Sequence, residues 1–223
     1  MAKQDSPMAL DFTTILRSLA VERPIFHSEA DMQHSLAWHT RLIHPEAGVR
    51  LEIPADFLRQ SRASIDMLVR IGDHIEYVEL KYKTVQCDFR VGSERFRLKR
   101  GAAKDQGSYS FIKDIMRIES FIGDDRTAKG HAILVTNDSS YWTASQKLNP
   151  IDPDFHLIQD RVLHGRLTWA PHAGEGSKKG YEEPIVLRGH YRLNWRDFPS
   201  EHILGCPTFR YLHVEIFGAH ENE

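Results

Sequence analysis

Three charged residues in one stretch of this chain have the types and spacing to hold a divalent cation beside a phosphate. From position 64 to 84 the sequence reads SIDMLVRIGDHIEYVELKYKT. Gly72 and Asp73 are a two-residue turn signal between runs rich in strand formers, so the spacing predicts a tight hairpin in which Ile71 pairs with His74. That register sets Asp66 opposite Glu79, with Lys81 two residues further on the same face. Opposed residues of an antiparallel pair have Cβ atoms roughly 4.5–5.5 Å apart, and like charges there repel unless something neutralises them. Mg²⁺ is suited to the task, since it prefers oxygen ligands and is commonly held by one or two carboxylates plus water. Lys81 could orient a water or balance charge developing on a phosphate. A metal between the two acids would lower the pKa of bound water, and such a site can hydrolyse phosphodiesters.

The other face of the hairpin carries Ile65, Met67, Val69, Ile71, Val78 and Leu80, an apolar set that belongs against a core. Ahead of it, Ser28 followed by Glu29, Ala30 and Asp31 predicts a capped helix start, and a helix from Glu29 to Thr40 puts Glu29 and Gln33 on one face. VRLEIP at 49–54 alternates as a first strand. Beyond the hairpin, Phe111, Ile112, Ile115, Ile118 and Ile122 fall at helical spacing between Asp105 and Ile122. HAILVTN at 131–137 reads as a strand buried on both faces. Residues 171–183 are rich in glycine and charge and predict a mobile loop, after which IVLRGHYRLNW and FRYLHVEIF alternate as strands. The outline is an α/β fold: a mixed central sheet flanked by helices, with a C-terminal β extension.

The pattern D-x12-E-x-K formed by Asp66, Glu79 and Lys81 resembles the motif of the PD-(D/E)xK nuclease superfamily, whose fold is restriction-endonuclease-like. The resemblance covers roughly residues 28–137, with about 138–223 as the extension of a single domain spanning 1–223. It implies that Asp66 and Glu79 bind one or two Mg²⁺ or Mn²⁺ ions and that Lys81 assists the attacking water. Many members also place a glutamate of the first helix near the metal, and Glu29 matches that location, with Gln33 a companion. Ile65 stands where the family name has proline. The implied activity is metal-dependent hydrolysis of nucleic acid, DNA rather than RNA, with a homodimer compatible with cutting both strands. The alternative is a catalytically inactive nucleic-acid-binding or scaffold protein of the same fold.

Charge is distributed in a way that suits a polyanion. The chain's formal charge is −2 over 223 residues, yet positions 81–104 hold eight basic residues against Asp88 and Glu94. Lys83, Arg90, Arg95, Arg97, Lys99, Arg100 and Lys104 therefore form a candidate grip on a phosphate backbone, a solvated basic loop being the plainer reading. Tyr109, Lys113 and Asp114, early in the later helix, could touch a phosphate or orient the site, or serve surface and packing roles. Trp142, Trp169 and Trp195 could stack bases or fill the core. His27, His34, His39 and His44 invite a metal reading, but there is no HExxH, and scattered histidines are more often hydrogen-bonded than ligating. No G-x-S-x-G elbow, Walker motif or GxGxxG is present, which removes the sequence grounds for a serine hydrolase, a nucleotide-driven motor or a dinucleotide oxidoreductase. Two cysteines without CxxC spacing exclude a disulfide scaffold and make a reducing, cytoplasmic location the expectation. No apolar run is long enough to predict a membrane anchor.

Overall fold

A computed structural model describes residues 10–54, 64–101, 103–198 and 206–218. Among these, no helix is long and apolar enough to cross a membrane. In chain order the elements are α1 (Phe12–Glu22), α2 (Glu29–Ile43), β1 (Gly48–Pro54), β2 (Ser64–Ile71), β3 (His74–Lys83), β4 (Cys87–Val91), β5 (Glu94–Leu98), α3 (Lys104–Ile122), β6 (Ala128–Thr136), β7 (Val162–Leu167), α4 (Glu175–Lys178), β8 (Ile185–Arg192), β9 (Trp195–Asp197) and β10 (Arg210–Phe217). The central sheet has six strands in the order β1-β2-β3-β6-β10-β9, and β4-β5 and β7-β8 form separate two-stranded ribbons. Only the β3–β6 pair is parallel within the central sheet, so the sheet is mixed and the fold is α/β.

The hairpin has the predicted register, with Ile71 opposite His74 and Met67 opposite Val78. Gly72 supplies the positive φ (56°) at the first turn position, where a Cβ would be strained. Because β3 and β6 are both interior strands, each face of the sheet needs a cover. Met67, Val69, Val78, Leu80, Ile133 and Val135 point into a core closed by α1, α2 and the β4-β5 ribbon. Tyr77, Ala132, Leu134, Leu212 and Val214 point the other way, against α3 and the β7-β8 ribbon. Helix α3 sits so close to β6 that a Cβ on Gly130 would collide with the Ile118 side chain.

The strand at 131–137 is buried as expected, along nearly all of β6. One expectation needs correction. The loop at 171–183 contains the one-turn helix α4. The sheet continues into the C-terminal extension, where β10 pairs with β6 along its whole length, and α1, ahead of residue 28, lies on the same sheet face as α2.

Candidate active site

The acidic residues meet where the hairpin ladder stops. Paired positions run as far as Met67 and Val78, and beyond that point the Asp66 carboxylate itself accepts the Leu80 N–H at 2.7 Å. One step further, the Glu29 carboxylate accepts the Tyr82 N–H at 2.7 Å. Two carboxylates thus occupy successive donors on the edge that β3 exposes when β2 leaves it. Glu29 is delivered there by α2, whose Ser28 cap accepts the Asp31 N–H at 3.1 Å. Gln33, one turn on, donates to the Asp66 carbonyl at 2.6 Å and to Glu52 at 2.8 Å, tying α2 to β2 at the same point.

Glu79 and Lys81 project from β3 toward α3, which contributes Asp114 and Arg117. Lys81 Nζ lies 2.7 Å from Asp114, and Arg117 lies 2.9 Å from Glu79 and 3.2 Å from Asp114. Arg117 also donates to the Ser64 carbonyl at 2.5 Å, anchoring the start of β2. Glu79 Oε1 and Asp114 Oδ2 are buried and meet these cations at ion-pair distance but outside hydrogen-bond geometry, so neither has a hydrogen-bond partner.

Burial and mutual repulsion set the protonation. Burial, reinforced by the charges of Asp114 and Asp66, pushes the Glu79 carboxyl up to about 9. Burial also raises Asp66, against the pull of the Leu80 N–H and Lys81, and raises Asp114 despite its two cations. Burial alone would discharge Lys81, but Asp114 and Asp66 outweigh it and hold the ammonium above its ordinary range. Lys81 is accordingly a fixed cation and donor.

A divalent ion is tested by these oxygens. The donors are carboxylates, matching Mg²⁺ or Mn²⁺ over softer metals. Among the described residues, no three acids of this cluster set one oxygen each within 4.8 Å of the others. Asp66 and Glu79 are the carboxylates that could share an ion with water completing the shell, while Asp66 and Glu29 each also accept a β3 N–H.

Other predicted residues divide clearly. Tyr109 is buried, stacks among Phe155, Trp169 and Tyr181, and donates to the Glu183 carbonyl at 2.8 Å, so it packs rather than orients the acids. Lys113 is exposed beside the Tyr109 ring. Trp169 and Trp195 are core residues with their indole N–H groups on carbonyls, whereas Trp142 is half-buried against Trp195 and Arg210. His27, His34, His39 and His44 each engage a neighbouring acid or carbonyl.

The basic segment is a ribbon. Phe89 and Phe96 pair on its inner face, which leaves Asp88, Arg90, Arg95 and Arg97 outside. Arg95 makes a bidentate pair with Asp88 at 2.8 Å, and Arg97 approaches the same acid at 3.6 Å. Lys99 and Arg100 follow, exposed. Lys83 lies 4.0 Å from Glu29, while Lys104 faces Asp152 at 4.0 Å and burial lowers its pKa.

Sequence reasoning missed Arg117. Its signal was the D-x-x-R spacing at 114 and 117, which puts an acid and a base on one helical face. Comparison with protein-family models, curated proteins and solved structures finds no match to this chain. Fold and site define it as an α/β protein with a mixed six-stranded sheet and a buried acidic cluster at the end of its central hairpin.

Proposed function

We propose that this protein is a metal-dependent nuclease of restriction-endonuclease-like fold, hydrolysing phosphodiester bonds in nucleic acid, with DNA the favoured substrate. The observation that carries the reading is the convergence of Asp66, Glu79 and Lys81 where β2 and β3 part, on a face that α3 closes with Asp114 and Arg117. Mg²⁺ or Mn²⁺ held by Asp66 and Glu79 would supply Lewis acidity and an activated water. Gln33 fixes the backbone of Asp66, and Arg117 fixes the Glu79 carboxylate. Lys81 stays charged, so it donates to the attacking water or to a phosphate oxygen and does not act as a base. Asp114 is a positioning residue that aims the Lys81 ammonium. Asp66→Ala is expected to slow cleavage at least a hundredfold, about the loss seen when one preorganised electrostatic group is removed from an active site. The assay is turnover of single- and double-stranded DNA and RNA with Mg²⁺ or Mn²⁺; equal rates for wild type and variant would end the enzymatic reading.

The β4-β5 ribbon is the proposed phosphate grip. Arg95 is already neutralised by Asp88, so its removal should change affinity less than removal of Lys99 or Arg100. Replacing both Lys99 and Arg100 by alanine should flatten the slope of log affinity against log salt by up to about 0.9 for each lost phosphate contact. Fluorescence anisotropy across a salt series measures this, and an unchanged slope would place the interface elsewhere.

A second reading has its own observation. The Lys81–Asp114 and Arg117–Glu79 pairs neutralise much of the acidic charge without any ion, as a binding protein that has given up hydrolysis would require. It predicts salt-sensitive binding, no turnover, and Mn²⁺ uptake indifferent to Glu79→Ala.

A further inference from the structure

On the opposite face of the sheet from the acidic cluster, three side chains gather that the proposed reaction does not use. His131 stands on β6 opposite Glu215 of β10, and His213 lies two residues earlier on the same face of β10. His131 Nδ1 and His213 Nε2 are 2.9 Å apart, and one ring nitrogen of each histidine and a Glu215 carboxylate oxygen all lie within 4.8 Å of one another. Among the described residues this is the one group of three potential metal-ligand atoms so close together.

We propose that His131, His213 and Glu215 form a binding site for a borderline divalent transition metal, with Zn²⁺ as its natural probe. The second nitrogen of His131 argues for this. Nε2 lies 2.8 Å from the buried Glu76 carboxylate, so in the neutral ring the proton sits on Nε2 and the Nδ1 lone pair is aimed at His213. A carboxylate on the far nitrogen is the arrangement that fixes tautomer and ring direction in metal-ligating histidines. The His131 ring is also held by Phe12 of α1, at 4.3 Å between centroids.

His213 can present its nitrogen in the same way. Without a metal, His213 Nε2–H donates to the His131 Nδ1 lone pair; a metal would displace that proton, which can move to Nδ1, where Thr13 Oγ1, 3.5 Å away, can accept it. Two nitrogens about 2.0–2.1 Å from a tetrahedral ion would be about 3.3 Å apart, so the pair needs to open only slightly. Glu215 is exposed, which supplies the route of entry and leaves the fourth position to water. Imidazole nitrogen with one carboxylate suits Zn²⁺ better than Mg²⁺, which separates this site chemically from the all-carboxylate cluster.

Excess Mg²⁺ can therefore occupy the oxygen site while Zn²⁺ is titrated calorimetrically into the full chain, with Co²⁺ visible absorption as a geometry readout. Wild type should take up Zn²⁺, His213→Ala and Glu215→Gln should each weaken it roughly tenfold or more, and Glu76→Gln should act in the same direction through His131. Glu215 is at the surface, so its variant reports binding without disturbing the core. Absence of Zn²⁺ uptake by wild type, or uptake unchanged in both ligand variants, would overturn the site.

Discussion

Glu79→Gln is expected to move activity and stability in opposite directions. Cleavage should fall at least a hundredfold, because the amide keeps the shape of the side chain but removes a charge that draws the ion. The metal-free protein should at the same time become more stable at alkaline pH. Folding raises the Glu79 carboxyl from 4.5 to about 9, so between those values the folded protein binds a proton that the unfolded chain has released. Stability is then fully present below about pH 4.5 and falls as pH rises toward about 9, since ∂ΔG/∂pH follows the protons bound by the unfolded minus the folded state. A glutamine carries no such proton and should flatten that part of the curve. If wild type binds Mg²⁺ as proposed, the ion would replace the proton and should restore stability at pH 9 by binding the folded state alone. Apparent Mg²⁺ affinity should accordingly rise with pH over the same window. Urea melts from pH 5 to 9, with and without Mg²⁺, check all of this; the same slope in variant and wild type would mean that Glu79 is not the titrating group.

The hairpin was legible because its determinants are local. Gly72-Asp73 dictates the turn, and period-two alternation dictates the faces as far as Met67 and Val78; beyond them the ladder stops, Asp66 takes the Leu80 N–H instead of pairing with Glu79, and Ile65 packs in the core on the α3 side rather than with Met67 and Val69. The same chemistry was present at Gly92-Ser93, between CDFRV and ERFRL, where the structure forms the β4-β5 ribbon. There the charge pattern drew the reading toward a loop, although Phe89 and Phe96 mark its inner face. Helix α1 was not read, although Phe12, Ile15, Leu16, Leu19 and Ala20 repeat at helical spacing behind Asp11, whose carboxylate accepts the Thr13 and Thr14 N–H groups.

What could not be read are the long-range meetings. Nothing local to Arg117 says that it reaches Glu79, which lies in a strand 38 positions earlier, and only the packing of α3 on β3 decides it. The histidines near α2 are clustered in sequence but each engages a separate acid or carbonyl, whereas His131 and His213, 82 positions apart, are the ones that meet. Sequence proximity does not show which histidines meet, because adjacent strands of this sheet come from distant parts of the chain.

Glu119→Ala should be the most damaging structural substitution in α3. This buried carboxylate accepts the Gly189 N–H at 2.8 Å, the Tyr191 hydroxyl at 2.7 Å and the Arg188 N–H at 2.9 Å, and its own carbonyl receives the Arg188 guanidinium. The β7-β8 ribbon is thus clamped to α3 through one side chain. Burial, followed by the Glu119 contact, raises the Tyr191 pKa, so the phenol stays protonated and donating throughout the working range. Alanine would leave several buried donors without an acceptor, each costing about 1–3 kcal/mol. A total near 3 kcal/mol or more should lower the midpoint of thermal unfolding by roughly 10 °C in a chain of this size. Glu119→Gln keeps one acceptor oxygen and should lose less. Neither variant touches Asp66, Glu79 or Lys81, so cleavage by the folded fraction at low temperature should stay within a few-fold of wild type. Calorimetry paired with a low-temperature cleavage assay separates the two roles of α3: the ribbon is held at Glu119, and the acidic cluster is completed at Asp114 and Arg117.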